Sequence, residues 1–376
     1  MLNGKKHYIQ VQPRAQKSSY APDDSIDMVI RLDPGQELVQ GTVRLHGTLQ
    51  YTKTNGSTPL DYSTDAVHCN AHVGIHSFFD NFVTSFDGRV IESNFNDYGR
   101  FIKLYSECTT NSTETALNTA SNIEWKMNNY LQSTAVLIGD SDSPPNMRFN
   151  FQPRICLNRT SRNVRQTDVN EILLSFRLNS QFRACFGSSN TSANSMTYVI
   201  QDLKASFISQ PISKQDGPLV LKTTSMAQYT LNSQVSHVEI EIPIPTLTMT
   251  SCVVSTTNQG INYFATNYLT TERVVYRFND TNGRLLTYEL DNDEEILANA
   301  KRSMTVKGES EIDDLLLANK NIDDSTTGDD SHWLYGINYS GVMPPGTKVS
   351  VELNASEPDS NSTYVLFNYF NGVVQL

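Results

Sequence analysis

Alternation of apolar and polar residues constrains the fold of this chain more than any other sequence feature. Over residues 26–32 apolar side chains recur at every second position, and Asp27 and Arg31 lie on the opposite face. Residues 43–51 repeat the pattern. Successive side chains of a β-strand point to opposite faces, so a period of two indicates half-buried antiparallel strands. The same alternation recurs over residues 172–178, 238–242, 247–249 and 349–353.

The segments between these strands consist of turn-forming residues. Residues 187–192, for example, read Gly-Ser-Ser-Asn-Thr-Ser, which is typical of a loop. Helical patterns are short: one is predicted near 293–302, where Asn292 and Glu295 resemble a capping box, and another near 311–320. The sequence therefore predicts an all-β fold with short helices in the connections.

Composition narrows the classes of protein that fit this pattern. The 376 residues include 34 Asn, 38 Ser and 35 Thr, whereas the four charged types together make up 18%. This balance is typical of extracellular or virion β-proteins. The net charge of −11 argues against a protein that coats nucleic acid over its whole surface.

Apolar segments are too short to carry the chain into or across a membrane. The longest runs, such as 135–138 and 315–318, are far below the roughly 18 residues of a membrane-spanning helix. The N-terminus has charged residues but no apolar stretch behind them, so we expect synthesis without a signal peptide.

The cysteines favour neither a disulfide framework nor a zinc site. They are odd in number, widely spaced and never form C-x-x-C. We interpret them as small buried apolar side chains. They are Cys69, Cys108, Cys156, Cys185 and Cys252.

A long internal similarity indicates two related β domains. In the first half, 82–86 leads through Asp87-Gly88 into a returning strand, followed by a possible helix over 98–105. In the second half, 274–278 turns at Gly283 and returns toward the helix predicted near 293–302. A repeat of this size predicts two domains in tandem, since solenoid repeats recur every 20–50 residues or so.

The boundaries of these domains follow from interruptions of the strand pattern. Residues 1–20 are basic and are interpreted as an N-terminal arm outside the first core. The first domain is predicted over 21–210 and the second over 219–376. The polar segment 211–218, which contains Pro and Gly at its ends, is the predicted linker.

Three histidines and several acidic runs are the candidates for metal binding. His68, His72 and His76 would line one face of a helix, but on a strand they would lie too far apart to share an ion. The apolar residues around them favour a core segment. The acidic runs 291–295, 313–314 and 323–324 lack the spacing of a calcium loop and are interpreted as solvated or helix-capping charges.

No sequence motif for catalysis stands out. Nucleophile-elbow, zinc-protease, phosphate-loop and dinucleotide signatures are all missing from the sequence, so we expect no enzyme activity and no catalytic, cofactor-binding or metal-binding residues. Tyr263, Phe264 and Tyr268 offer two interpretations: a sugar-binding platform, or packing between domains or subunits, which is preferred. The basic arm offers contact with a genome or an inner membrane.

The ordered set of these features resembles the double jelly-roll major capsid proteins of tailless icosahedral DNA viruses. The resemblance lies in SSYAPDDSIDMVIRL with the following strand GTVRLHGTLQY, in the two hairpin segments 77–98 and 273–304, and in the closing segment 335–376. It covers most of the chain after residue 20.

The resemblance implies two eight-stranded jelly rolls side by side and three chains in a pseudo-hexagonal capsomer. Partners would be other copies of the chain and the vertex and minor capsid proteins of the virion. Residues 106–132, 186–195 and 321–332 would form outer loops or contacts between capsomers. Two alternatives stay open at this stage: a pentameric vertex protein built on one jelly roll, and a glycan-binding β-sandwich adhesin.

Overall fold

A computed structural model describes most of the two domains. The described residues are 5–53, 67–70, 73–93, 97–109, 135–139, 146–187, 196–214, 217–231, 237–255, 263–264, 267–269, 271–280, 282–304, 334–355 and 363–376. The helix predicted near 311–320 and most of the three predicted outer loops lie outside these residues.

The described residues of the first half of the chain form fourteen strands. They are β1 (His7–Val11), β2 (Ser19–Tyr20), β3 (Ser25–Arg31), β4 (Gln36–Leu38), β5 (Arg44–Lys53), β6 (Val67–Asn70), β7 (Phe79–Phe86), β8 (Arg89–Ser93), β9 (Ala135–Gly139), β10 (Asn146–Phe151), β11 (Val164–Arg165), β12 (Glu171–Leu178), β13 (Phe186–Gly187) and β14 (Met196–Pro211).

These strands form a jelly roll. Sheet 1a contains the order β10-β5-β14, with β1 and β2 on the far side of β14, and β4 and β11 extend it. Sheet 1b has the order β3-β12-β7-β8. Eight main strands can be numbered in chain order if β1 and β2 together count as the first; the others are β3, β5, β7, β8, β10, β12 and β14. Sheet 1a then has the order first, eighth, third, sixth, and sheet 1b has the order second, seventh, fourth, fifth. This is the strand order of a jelly roll. A small third sheet has the order β13-β6-β9.

Nine strands lie in the described parts of the second half of the chain. They are β15 (Val220–Leu231), β16 (His237–Glu241), β17 (Thr246–Ser255), β18 (Asn267–Leu269), β19 (Thr271–Asn279), β20 (Leu285–Leu290), β21 (Leu334–Met343), β22 (Lys348–Ala355) and β23 (Tyr364–Gln375).

These strands repeat the same plan with fewer additions. Sheet 2a has the order β15-β23-β17, followed by β18 and β21 on the other side of β17. Sheet 2b has the order β16-β22-β19-β20. Without β18, the other eight strands can be numbered in chain order. Sheet 2a then has the order first, eighth, third, sixth, and sheet 2b has the order second, seventh, fourth, fifth. Every pairing is antiparallel, which confirms the all-β double jelly-roll prediction.

The predicted alternation of apolar and polar residues identifies the side chains that are buried in the core. In β3 the side chains of Ile26, Met28 and Ile30 are buried, whereas Asp27 and Arg31 are exposed. The hairpins confirm the internal repeat, because β7-β8 and β19-β20 occupy the same place in the two rolls. Gly88 has φ +80° and Gly283 has φ +74°, values that an L side chain tolerates poorly.

Short helices follow both hairpins, as the sequence predicted. Helix α1 (Tyr98–Thr109) follows β8, and helix α3 (Asp293–Met304) follows β20. The Glu295 backbone N–H donates to Asn292 Oδ1 at 2.9 Å, which confirms the cap. The remaining helices are one-turn elements: α2 (Gln181–Ala184) and the 3-10 turns Gly74–Phe78 and Cys156–Asn158.

The prediction that residues 1–20 lie outside the first core is wrong. Strand β1 pairs with β14 in the register His7↔Ser209, and β2 pairs with the same strand. Ile9 packs against the first core and Tyr20 is 3% exposed. The basic residues of this segment conceal a strand whose partner lies about 200 positions away in sequence, so local pattern could not reveal the pairing.

The pairing of strands changes at residues 211–218. Strands up to Pro211 pair within the sheets of the first roll, and strands from Val220 onward pair within those of the second. A single buried apolar cluster runs from the first roll onto sheet 2a, so the packing of side chains does not divide the chain at this segment. The exact limits of the two domains therefore stay a prediction.

Candidate functional site

The contact between the two rolls, called the seam here, is the most elaborate polar site among the described residues. The face of sheet 2a that points away from its own core packs against the first roll. Its buried apolar members belong to the same cluster as the first core. They are Cys252, Val254, Leu334, Phe367 and Tyr369.

Main-chain hydrogen bonds join the rolls along β15. Leu221 forms an antiparallel bridge with Thr160 of the first roll. The Ser161 N–H donates to the Val220 carbonyl at 2.8 Å, and the Lys222 N–H donates to the Arg159 carbonyl at 2.9 Å. The first roll thus adds a short strand-like edge to sheet 2a, and the register of these bonds fixes the position of one roll relative to the other along β15.

Glu92 is a carboxyl group buried in the seam. Its two oxygens accept the N–H of Cys156 in the first roll at 2.8 Å and the N–H of Thr224 in the second roll at 3.2 Å. Burial raises the pKa of Glu92 to about 7, although these hydrogen bonds and the Arg159 charge oppose the rise. The group is therefore neutral in mildly acidic solution while it still bridges the rolls.

Arg100 on α1 is a second buried charge in the seam. Its Nε donates to Asp97 Oδ2 at 3.1 Å, and its Nη2 donates to the Tyr263 carbonyl at 3.1 Å. The guanidinium also lies 4.9 Å from the Phe367 ring centroid. Burial acts to lower the pKa of Arg100, but the Asp97 carboxylate outweighs it and holds the pKa above its usual range. An ion pair buried this deeply is costly to break.

A hydrogen-bond network continues behind β15. Arg159 Nη1 donates to Thr224 Oγ1 at 2.8 Å, which donates to Asn371 Oδ1 at 3.0 Å. Asn371 Nδ2 donates to the Ser303 carbonyl of α3 at 3.1 Å. The chain of contacts runs from the first roll through sheet 2a to the helix that covers this sheet, and it links buried polar side chains of both rolls.

Glu37 anchors the segment that leaves the first roll. Its Oε1 accepts Asn163 Nδ2 at 2.6 Å, Gln210 Nε2 at 2.8 Å and Ser213 Oγ at 2.8 Å. Burial acts to raise the pKa of Glu37, but these hydrogen bonds outweigh it and hold the pKa below the ordinary value. The start of the predicted linker, 211–218, is thereby tied to the first roll.

The three candidate histidines do not share one regular element. His68 lies in β6, His76 lies in the 3-10 turn Gly74–Phe78, and His72 lies outside the described residues. The His76 ring is buried, with Nδ1 3.0 Å from Tyr98 Oη and its centroid 4.7 Å from that of Phe151. Its contacts are those of a core side chain.

The acidic runs and cysteines were the other candidates for ligands. Residues 291–295 lead into α3, and 313–314 and 323–324 lie outside the described part of the chain. Cys156, Cys185 and Cys252 are buried and form no disulfide, which agrees with their interpretation as core residues. Among the described residues no group of three or more His, Cys, Asp or Glu side chains is arranged to hold a metal ion.

Two of the candidate aromatic residues belong to the seam. Tyr263 Oη donates to Asp97 Oδ2 at 2.9 Å, and its ring lies 5.0 Å from the Arg100 guanidinium carbon. Phe264 is 1% exposed. Packing between the rolls is therefore correct for these two residues; the side chain of Tyr268 lies outside the described parts.

Comparisons with known proteins agree with this architecture. No family model matches the sequence, and no curated protein matches it. The Faustovirus major capsid protein superposes with a TM-score of 0.62 at 8% identity, over 99% of this chain and 90% of that chain. A chain of the Sputnik virophage gives 0.57 at 8% identity over 99% and 87%. A chain of the PBCV-1 virus capsid gives 0.54 at 9% identity over 99% and 94%.

The chain thus has the double jelly-roll fold of viral major capsid proteins. At such low identity the likeness defines the fold and leaves the role of this chain to be argued from its own residues. Within the described residues, no helix is long and apolar enough to cross a membrane.

Proposed function

We propose that this chain is a structural virion protein, the major capsid protein of a tailless icosahedral virus, and that three copies form a pseudo-hexagonal capsomer. The observation that carries the proposal is the pair of complete jelly rolls joined through a buried seam. Three such chains present six similar rolls, which suits a six-sided building block. The solved structures of similar fold include a chain named as a major capsid protein.

The seam supports a structural role on physical grounds. A shell is held together by many weak, symmetric contacts, and these add up only if each building block is stiff. Main-chain bonds, the Glu92 bridge and the hydrogen bonds of Tyr263 with Arg100 and Asp97 fix one roll against the other. Because these buried groups are engaged in contacts between the rolls, they act as structural ties, and the proposal includes no enzyme activity.

The two alternatives fit less well. A vertex protein built on one jelly roll does not account for the second complete roll. For a glycan-binding adhesin the candidate platform was Tyr263, Phe264 and Tyr268, but Phe264 is 1% exposed and Tyr263 packs against Arg100 in the seam.

The proposal includes location and partners. The protein would reside in the capsid of the virion, beside other capsomers and the vertex and minor capsid proteins. Since β1 and β2 belong to sheet 1a, any contact of the N-terminal segment with a genome or inner membrane falls to the exposed residues before β1, such as Lys5 and Lys6.

Native mass spectrometry of the purified full chain tests the proposal. A trimer is the expected result, and electron microscopy should resolve a six-sided outline. A pentamer would favour the vertex protein, and a monomer that binds a glycan array would favour the adhesin.

A further inference from the structure

Asparagine is followed by glycine at two places in the described part of the chain, Asn282-Gly283 and Asn371-Gly372. Asparagine is one of the thermolabile residues of proteins. In deamidation the backbone nitrogen of the next residue attacks the side-chain amide carbon, and glycine favours this attack because it has no Cβ to hinder the approach. The surroundings of each pair then decide whether the attack takes place in the folded chain.

The first pair lies in the turn between β19 and β20. Asn282 and Gly283 are both exposed to solvent. The nucleophilic nitrogen of Gly283 donates to the Asp280 carbonyl at 2.9 Å, which is a bond of the turn and not of a sheet ladder. A turn at the tip of a hairpin opens locally at a low cost in free energy. The nitrogen can therefore be released while the second roll stays folded.

The second pair is enclosed in sheet 2a. Asn371 is 4% exposed, its Oδ1 accepts Thr224 Oγ1 at 3.0 Å, and its Nδ2 donates to the Ser303 carbonyl at 3.1 Å. Gly372 lies in β23, which is paired with β15 on one side and with β17 on the other. The Pro245 carbonyl fills the space beside the Gly372 Cα. Attack here would require the sheet to open, which approaches the cost of unfolding the roll.

We propose that Asn282 is a site of spontaneous deamidation in the folded protein and that Asn371 is protected by its burial. The Gly283 nitrogen loses its proton to solvent and forms a bond to the Asn282 Cγ. The bond from Cγ to Nδ2 then breaks, and ammonia leaves with a proton taken from water. Water hydrolyses the resulting five-membered imide at either carbonyl, which gives aspartate or isoaspartate. The reaction needs water alone, and the inference is independent of the proposed function.

Deamidation changes both the charge and the geometry of the turn. The Asp280 carboxylate accepts the backbone N–H of Asn282 and of Arg284, each at 2.8 Å, and it is also hydrogen-bonded to the Asn282 side chain. The reaction replaces this amide donor by a second carboxylate, so two like charges meet in one turn. Isoaspartate also lengthens the backbone by one methylene group. We therefore expect the end of the hairpin to loosen next to Leu285, which is 68% exposed.

Peptide mapping by mass spectrometry tests the inference. The purified full chain is incubated at mildly alkaline pH, in native buffer and in urea, and is then digested. In native buffer Asn282 should deamidate at least roughly tenfold faster than Asn371, because it needs only local opening. In urea the two rates should be similar, since the same dipeptide is then free at both places.

Two variants assign the mass change to one side chain. Asn282→Gln should abolish the mass gain of this peptide, because the longer side chain closes a ring less readily. The matched control Asn279→Gln changes another asparagine close to the same turn and should leave the mass gain unchanged. Circular dichroism confirms that both variants are folded.

Either of two results would overturn the inference. If Asn282 and Asn371 react equally fast in native buffer, burial does not decide between them. If Asn282 stays intact in native buffer over a time in which it reacts in urea, the turn bond of Gly283 protects it and the site is not reactive in the folded protein. Neither result bears on the proposed capsomer, since trimer formation by the wild-type chain is measured separately.

Discussion

Because the carboxyl group of Glu92 is buried in the seam, we predict that the free energy of unfolding is larger in acid than in alkali. The pKa of this group is about 7 in the folded chain and 4.5 for an ordinary glutamate. Its stabilising contribution is fully present below pH 4.5 and is lost as the pH rises through 7, because the folded state then has to bury a charge. A difference of this size corresponds to about 3 kcal/mol of unfolding free energy.

The substitution Glu92→Gln removes this titration. The amide keeps one acceptor but turns its NH₂ toward the second backbone N–H, so a loss of about 1–3 kcal/mol is expected at all pH values. On top of that constant loss, raising the pH from about 5 to about 8 should cost the wild type about 3 kcal/mol more than the variant. Urea unfolding of the purified full chain, followed by circular dichroism at one fixed protein concentration, measures both curves.

A matched control separates this effect from general titration of the chain. Glu241 is exposed at the end of β16, so Glu241→Gln should follow the wild type over the whole pH range. If the wild type and Glu92→Gln differ by the same free energy at both pH values, Glu92 does not titrate in the seam. The account of the seam as a pH-sensitive contact would then be wrong.

Two substitutions with matched controls test the packing of the seam and of sheet 2a. Replacing Arg100 by Met leaves a buried carboxylate unpaired and should cost about 3–5 kcal/mol in thermal or urea unfolding, whereas Arg31→Met breaks an exposed pair and should cost less than about 1 kcal/mol. Equal losses would contradict the role of the buried pair. In Gly372→Ala the new Cβ would collide with the carbonyl oxygen of Pro245, so a loss above about 2 kcal/mol is expected. Gly341→Ala meets no atom within 4 Å, and a comparable loss there would show that the collision is not the cause.

Features set by neighbours in sequence were predictable. The period of two located strands such as β3, the turn glycines located both hairpins, and Asn292 located the start of α3. Each of these depends on a few consecutive residues, because side-chain alternation, turn geometry and helix caps are local physics. The repeat of hairpin and helix then indicated two rolls.

The seam was decided only by the tertiary structure. Glu92 meets Thr224 across 132 positions, and Arg100 meets Tyr263 across 163 positions. Nothing near Glu92 or Arg100 in sequence distinguishes them from exposed charges, since the burial that changes their chemistry comes from the other roll. The same reason hid β1, whose alternating residues acquire meaning only beside β14. Sequence alone determined the long alternating strands such as β3, because their pattern is local, and the packing of one roll on the other determined which charges are buried.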